Sequence, residues 1–396
     1  MTRLWDRGEP LDALVLRYTA GEDHVLDERL VAHDCRASMA HAAMLRDAGY
    51  LTSADYTALA EALGTIARTH AEGVWHVTLE EEDCHTAIEN RLVAMVGEPG
   101  RAIHLGRSRN DQVLAALRLY VKQALSDLAE TAEGAAVALD TLANRDGAHA
   151  MPGYTHMQRA MPTTVAGWAQ AYASELRDDA EGLRAARRRA DKNPLGSAAG
   201  YGVPVLTLDR EHTTRALGFG VTQTPVTAVQ LSRGKAAAGA LFEAALLAQD
   251  LGRLAADLCL FATSELGFVR LEASITTGSS MLPQKRNPDL FELARGKTSE
   301  AVAALVEVLG VTAKMPSGYH RDLQLLKAPL FRGLDAALAT SLLMTHALAH
   351  VRFDPQRLAT AIEPSMYAAE QAYKLVQDEG ISFRVAYRRI RDGTAS

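Results

Sequence analysis

A long run of apolar residues with helical spacing is the feature that most constrains the fold of this chain. From Leu114 onward, apolar residues recur in alternating steps of three and four positions. They are Leu114, Leu117, Val121, Leu125, Leu128, Ala132, Ala135, Leu139 and Leu142. Such steps keep all of them on one face of an α-helix, which turns once every ~3.6 residues. The pattern predicts one amphipathic helix that is roughly 45 Å long.

Four further segments carry the same spacing, and alternating strand patterns are scarce. The segments cover about 164–191, 232–263, 288–314 and 322–350. Alanine is abundant in them and aromatic residues make up only 6% of the chain, so the helices can pack closely. We expect an all-α fold in which these long helices form a bundle.

Changes in the apolar spacing divide the chain into three predicted domains. Residues 1–105 carry shorter helical segments, and residues 106–352 carry the long helices. We expect residues 353–396 to form a short helical pair, with Gly380 as a helix stop. A chain of 396 residues is long enough for such a division.

Composition excludes several classes of protein. The formal charge of −6 gives no basis for nucleic-acid binding, and the densest basic segment, 184–192, is explained as a helix end. Cys35, Cys84 and Cys259 form no paired motif, which argues against a disulfide scaffold and a zinc site. The N-terminus lacks the apolar core of a signal peptide, and no apolar stretch is long enough to span a bilayer. We expect a soluble cytoplasmic protein.

Glycine, proline and polar residues collect between the predicted long helices. The four clusters are 147–153, 193–204, 278–288 and 316–318. Loops that join the helices of a bundle lie at its ends, where they can converge. A turn needs only a few polar caps, whereas these loops share His, Ser, Lys, Arg, Tyr and Asn. We interpret them as parts of a functional site.

The loop TGSSMLPQKRNPD, at 277–289, carries the densest set of polar groups. Gly278 permits unusual backbone angles, while Pro283 and Pro288 exclude a helix through the loop. Its last three residues are typical of a helix start, whose free N–H groups favour an anion. Lys285 adds a full positive charge, which indicates binding of a carboxylate or phosphate. A mobile surface loop rich in turn formers explains the composition equally well.

The stretch RSRNDQ, at 107–112, precedes the first long helix and is suited to gripping a carboxylate. The planar guanidinium of Arg109 can donate two parallel hydrogen bonds to such a group. A helix N-cap formed by Asn110 or Asp111 is the alternative interpretation. A cap needs one such residue, whereas six polar residues stand here in a row.

Two histidines lie in polar motifs. His156, in GYTHMQRAMP, has the titration range of an acid or base near neutral pH, although a lone histidine is more often structural. His85 and Glu89, in EEDCHTAIENRL, lie one helical turn apart and could bind a metal. No third ligand has a suitable spacing. A surface pair or a pair that supports the site is the better interpretation, and we predict no metal.

Together these motifs resemble the fumarase/aspartase superfamily, whose members eliminate fumarate from substituted succinates. The loop at 277–289 is similar to the superfamily signature. The segments GRSRNDQV, EDCHTAIENRL, MPGYTHMQRAMPTT, PLGSAAGYGVPVLTLDRE and ELGFVRL look like those of the argininosuccinate lyase and δ-crystallin family. The resemblance covers nearly the whole chain. It implies a C–N lyase that converts argininosuccinate to arginine and fumarate, without a cofactor, in a homotetramer with shared active sites.

The resemblance also assigns roles by position. Ser279 matches the base that takes a proton from the carbon beside a carboxylate, and Lys285 and Asn287 match the groups that hold the developing dianion. His156 matches the acid on the side of the leaving amine, with Glu292 as the carboxylate that orients it. Together with Arg109, the predicted substrate contacts are His85, Ser108, Asn110, Thr155, Arg233, Asn287, Tyr319, Gln324 and Lys327.

Elimination from a succinate demands such residue types. Removing a proton beside a carboxylate adds a second negative charge, and each fixed donor aimed at that charge typically contributes about 3 kcal/mol. A serine acts as a base only in a positive field that lowers its pKa. Lys285 and the helix start after it would provide that field.

Several positions depart from the family pattern, mostly near the leaving amine. Asp23 stands where the family usually has serine, and His320 and 325–326 replace polar and acidic residues. Segment 224–239 replaces a more acidic one and keeps only Arg233. Two alternatives follow, namely a C–N lyase for another N-succinyl amine or an inactive crystallin-like relative. A serine hydrolase ranks lower because the chain has no nucleophile-turn motif.

Overall fold

Helices account for most of the described chain, residues 12–393 of a computed structural model. The helices before the first long one are α1 (Ala13–Ala20), α2 (Asp23–Leu26), α3 (Val31–Asp47), α4 (Ser53–Ala71), α5 (Cys84–Val96) and α6 (Glu98–Ala102). Thr52 caps α4 in a reciprocal pair with Asp55, and Asp83 caps α5. Residues 1–10, which lack a signal-peptide pattern, lie outside the described residues.

Five long helices follow, with two short ones between them, as the apolar spacing predicts. In chain order they are α7 (Arg109–Asp146), α8 (Val165–Ala190), α9 (Arg210–Leu217), α10 (Thr227–Leu231), α11 (Lys235–Phe261), α12 (Asp289–Thr312) and α13 (Lys327–Leu348). The long ones end within a few residues of the predicted limits. The prediction of an all-α, long-helix bundle is therefore confirmed.

The C-terminal part of the described chain holds three shorter helices. They are α14 (Pro355–Ala361), α15 (Ala368–Glu379) and α16 (Phe383–Arg391). Gly380 ends α15 in the left-handed conformation, with a φ of 66°, as a helix-stopping glycine commonly does. The predicted helix stop is confirmed.

Short strands occur where the sequence predicts only loops. They are β1 (Ala150–Thr155), β2 (Gln158–Thr164), β3 (Lys192–Asn193), β4 (Val221–Thr222), β5 (Val269–Leu271) and β6 (Val351–Phe353). β1 and β2 form an antiparallel hairpin, β5 and β6 pair antiparallel, and β3 and β4 pair in parallel. Most are too brief to show an alternating apolar pattern, which is why periodicity missed them.

The chain forms two compact units, each discontinuous in sequence. Unit 1 contains the described residues up to Ala129, together with Glu181–Ala245 and Ser299–Ala336. Unit 2 contains Glu130–Ala180, Leu246–Thr298 and the described residues from Ala337 onward. Each long helix therefore contributes residues to both units.

In unit 1, small residues let three long helices approach closely. A Cβ atom added at Gly333 of α13 would overlap Leu241 of α11 and would lie 2.9 Å from Cβ of Ala304 in α12. A second cluster, between α3, α7 and α9, is formed by Ala37, Ala40, Ala115, Leu119, Leu195, Leu217 and Phe219. Alanine and glycine at these contacts are what the composition predicts.

In unit 2, aromatic side chains fill the core instead. The Trp168 ring centroid lies 5.7 Å from that of Phe261 and 5.5 Å from that of Phe353. The Trp168 indole and the Tyr172 hydroxyl both donate hydrogen bonds to Asp257, at 2.9 and 2.8 Å. Their polar ends are thus satisfied inside an apolar cluster. Across residues 12–393, the structure contains no helix with the length and hydropathy of a membrane span.

The close approach at Gly333 predicts an unusual response to alanine. Gly333→Ala should lower the free energy of unfolding by about 1–3 kcal/mol, because the added methyl group overpacks three helices. Gly64→Ala is the matched control, since Gly64 also lies inside a helix but has no atom near its added Cβ. That variant should be stabilised by about 0.4–1 kcal/mol. Urea unfolding at one protein concentration compares them, and equal effects would contradict the packing argument.

Candidate active site

Several predicted site residues of unit 1 border one cavity of about 220 Å³. They are His85, Arg109, Asn110, Arg233, Tyr319, Gln324 and Lys327. Acidic residues that were not predicted as substrate contacts border it as well, namely Asp23, Glu82 and Asp83. The cavity therefore combines charges of both signs.

Ser108 and Asp111 fix the start of α7 beside this cavity. The Ser108 hydroxyl accepts a hydrogen bond from the Asn110 N–H at 3.3 Å, and the Asp111 carboxylate accepts one from the Ser108 N–H at 3.0 Å. The cap is thus Ser108 rather than Asn110 or Asp111. Asp111 also accepts from the N–H groups of Gly196 and Ala198, at 3.1 and 2.8 Å. Burial outweighs these bonds and raises the pKa of Asp111 to about 6.

Arg109 is held by neighbouring polar groups. Its guanidinium donates to Asp83 at 3.1 Å and to the Thr86 hydroxyl at 2.6 Å, and both of these residues belong to the start of α5. The two bonds orient a side chain that still has further N–H donors. Asn110 donates to the carbonyl of Ala199 at 3.3 Å. The predicted gripping residues are therefore positioned in advance.

His85 forms a buried ion pair with Asp34, with 2.8 Å between Nδ1 and the carboxylate. The Gln112 amide donates to both oxygens of Asp34, at 3.0 and 3.1 Å. Burial favours the neutral imidazole, but Asp34 outweighs it and raises the pKa of His85. Burial likewise opposes ionisation of Asp34, yet His85 and Arg107 hold its pKa below the ordinary value. His85 supports the cavity wall through Asp34 rather than through Glu89.

Lys327 lies between two carboxylates at the start of α13. Its ammonium is 2.6 Å from Asp27 and 2.8 Å from Asp23. Burial opposes the charge on Lys327, but the two carboxylates outweigh it and raise its pKa. Burial raises the pKa of Asp23 even though Lys327 opposes this. Sequence reasoning singled out Lys327 but missed both partners, and the only signal for Asp23 was its departure from the family's serine.

Gln324 and Arg233 complete the cavity in different ways. The Gln324 amide donates to the carbonyls of Thr19 and Ala20, at 2.9 and 3.1 Å, and so ties α1 to the cavity. Arg233 is only 8% exposed, and its Nη1 has no hydrogen-bond partner among the described residues. It lies 5.8 Å from the Tyr319 ring centroid, and burial lowers its pKa to about 10. A buried cation without a carboxylate partner suits an anionic substrate group.

In unit 2 the serine loop is closed at its base. The backbones of Thr277 and Asn287 exchange two hydrogen bonds of 2.9 and 3.2 Å. The Asn287 side chain donates to the Gly278 carbonyl at 3.3 Å, and α12 begins two residues later. Within the loop, the Ser279 hydroxyl oxygen accepts from the N–H groups of the two residues 281–282, at 3.2 and 3.1 Å. Lys285 is exposed in the same loop.

His156 lies at the tip of the β1–β2 hairpin. Thr155 pairs with Gln158, and His156 and Met157 between them have φ values of 53° and 60°. Two successive positive φ values match the twist of a tight hairpin, and they leave the His156 side chain exposed. His156 and Glu292 share no hydrogen bond within the described part of one chain. Glu292 lies 3.6 Å from Arg295 in the next turn of α12.

These features define a class of enzyme. The all-α fold of long helices and the Gly-Ser-Ser loop agree with the resemblance that the sequence motifs carry. Residues 9–303 match the family described as Lyase. The chain belongs to this lyase family.

The relatives and a solved structure agree with the motifs. An argininosuccinate lyase of Sorangium cellulosum is 48% identical over 98% of this chain and 90% of its own length. One of Stenotrophomonas maltophilia is 42% identical over 99% of this chain and 91% of its own length. The crystal structure of an EDDS lyase in complex with formate superimposes with a TM-score of 0.82 and 25% identity. The superposition covers 97% of this chain and 76% of the EDDS lyase chain.

The buried pair of His85 and Asp34 predicts a pH-dependent stability difference. His85→Gln should lower the free energy of unfolding by about 3 kcal/mol near pH 6, because Asp34 stays buried without its ion-pair partner. The folded-state pKa of His85 is raised. Its contribution is therefore complete below the unfolded pKa and is lost as pH rises through the folded value.

Urea unfolding at pH 6, 7.5 and 9 measures that difference. The exposed His76 provides the control, since His76→Gln should change stability little at any of these pH values. A gap between wild type and His85→Gln that widens with rising pH would contradict the assignment.

Proposed function

We propose that this chain is a C–N lyase that cleaves argininosuccinate to arginine and fumarate. The observation that carries the proposal is the serine loop, which contains Ser279, Lys285 and Asn287 and leads directly into the start of α12. Support comes from the argininosuccinate lyases that match this chain over nearly its whole length. The reaction needs a base, an acid and donors for the developing charge.

Ser279 acts as the base in this proposal. Two backbone N–H groups already donate to its hydroxyl oxygen, and such donors favour the ionised form of an oxygen acid. Lys285 in the same loop adds a positive charge. Ser279 removes the proton beside a carboxylate of the succinyl group. Lys285 and Asn287 then stabilise the dianion that forms.

The remaining predicted residues bind substrate and assist departure of the amine. Ser108, Arg109, Asn110 and Thr155 hold the succinyl carboxylates, and His156 donates the proton that the leaving nitrogen requires. Arg233, Tyr319, Gln324, Lys327 and His85 form the wall around the amine. Arg233 is the wall residue best suited to a substrate carboxylate, since the described residues give it no acidic partner.

We further propose a cytoplasmic homotetramer in which each active site combines residues of several subunits. Val302, Val306 and Leu309 project from one face of α12, and Val306 is 64% exposed. Apolar residues at such spacing on a surface helix favour packing against another copy. The lack of a hydrogen bond between His156 and Glu292 within one chain is consistent with partners supplied by neighbouring subunits.

A lyase for another N-succinyl amine is the second candidate, and Asp23 favours it. Asp23 replaces the family's usual serine and binds Lys327 directly, so it changes the charge of the cavity that faces the amine. Measuring kcat/KM for argininosuccinate and a panel of N-succinyl amines decides between the two. We expect argininosuccinate to be preferred.

Ser279→Ala should lower kcat for fumarate release by at least about 100-fold, the usual contribution of a positioned base. Fumarate is followed by its ultraviolet absorbance. Ser280→Ala is the matched control, because Ser280 is the exposed neighbour with no assigned role. Retained activity in Ser279→Ala, or equal losses in both variants, would remove the serine from the mechanism.

Shared active sites predict recovery of activity in mixed oligomers. Ser279→Ala and Asn110→Ala should each be nearly inactive alone, whereas hybrid oligomers of the two should regain part of the activity. In a hybrid, some sites receive an intact serine loop from one chain and an intact Asn110 from another. Hybrids of Ser279→Ala with Lys285→Ala are the control, since both defects lie in one loop. If the hybrids of Ser279→Ala with Asn110→Ala form, as verified by their mass, and are inactive, each active site lies within one chain.

A further inference from the structure

A second polar cavity in unit 1 is bordered by cations. Its volume is about 320 Å³, and four basic residues line it together with Gln223 and Ser232. The basic residues are Arg118, Arg189, Lys192 and Lys235. No acidic residue borders it among the described residues. Such a concentration of one charge is unfavourable unless an anion joins it.

Arg118 is the buried member of this set, with only 4% of its surface exposed. Its Nη1 donates to the Lys192 carbonyl and to the Gln223 side-chain oxygen, both at 2.6 Å. Its Nη2 donates to the Ser232 hydroxyl at 3.2 Å. Its Nε has no partner in the described part of the chain. A buried donor without an acceptor is rare in folded proteins, so the protein's own groups satisfy the Arg118 guanidinium only in part.

The cations of the cavity also lack counter-charges. Within residues 12–393, no carboxylate lies within ion-pairing distance of Arg118, Arg189, Lys192 or Lys235. Asp191 directly precedes Lys192 in the sequence, but its carboxylate forms an ion pair with the Lys122 ammonium. Burial and the charge of Arg233 together lower the pKa of Arg118 to about 9. The described residues therefore supply no negative charge to offset the four cations of the cavity.

The first turn of a long helix adds to the positive field. α11 begins at Lys235 and runs for 27 residues without an acidic residue in its first turn. The free N–H groups at a helix start attract anions. Segment 224–239, which contains this helix start, carries no acidic residue.

We propose that this cavity binds a small phosphate-type oxyanion, either inorganic phosphate or the phosphate group of a metabolite. A dianion with several acceptor oxygens can meet the helix start and the cations that line the cavity at once. A single carboxylate would leave most of these charges unmatched. The site is separate from the set of residues proposed for catalysis.

Isothermal titration calorimetry with inorganic phosphate, on the intact protein at constant ionic strength, tests this inference. We expect saturable binding of one phosphate per chain, with sulfate competing and chloride not. Lys235→Gln should weaken binding at least tenfold. Arg188→Gln is the matched control, because it removes an equally exposed cation one position from Arg189 without touching the cavity. It should bind phosphate like the wild type.

Two outcomes overturn the inference. One is the absence of saturable binding at constant ionic strength, and the other is equal weakening by Lys235→Gln and Arg188→Gln, which indicates general charge screening. Repeating the titration with glycerol phosphate identifies the form of the ligand. Tighter binding of the ester indicates a metabolite, and tighter binding of inorganic phosphate indicates the free ion. Lys235→Gln should leave the lyase activity measured without phosphate unchanged. A failure of the phosphate inference can therefore be distinguished from a failure of the proposed lyase function.

Discussion

The ammonium of Lys327 between Asp23 and Asp27 is the interaction on which the cavity of unit 1 depends. It joins the first residue of α13 to a segment about 300 residues earlier in the chain, and all three groups are largely buried. Removing one member of such a set leaves an uncompensated charge away from water, which is costly. Gln324 reinforces the same junction through the carbonyls that end α1. These contacts thereby fix the cavity wall before any ligand enters.

The long helices could be predicted from the sequence because each repeats its own signal many times. One misplaced residue among the nine that begin with Leu114 would not have hidden the period. The β1–β2 hairpin has no comparable repeated signal in its sequence. Its turn requires positive φ at His156 and Met157, and methionine seldom adopts that conformation without support from its surroundings. The two-residue strands depend on partners that are distant in sequence, so local pattern could not reveal them.

Residue type and motif identified many of the groups around the cavity, but not what holds them. His85 carried a signal in its motif, whereas Asp34 lies 51 positions earlier without any motif of its own. Charged partners that lie far apart in the sequence can be identified only from the tertiary structure that brings them together. The cationic cavity around Arg118 shows the same limit. The sequence shows that segment 224–239 carries no acidic residue, but not that a buried guanidinium lies beside it.

The backbone bridge between Thr277 and Asn287 has a consequence for how the serine loop can change over evolutionary time. Because the bridge fixes the distance between the loop ends, the residues between them can be exchanged, or their number altered, without disturbing the start of α12. The entropic cost of a longer closed loop rises only with the logarithm of its length. The residues of the loop can therefore be replaced without a change in the helices. The chemistry of the loop can diverge while the helical scaffold that carries it stays the same.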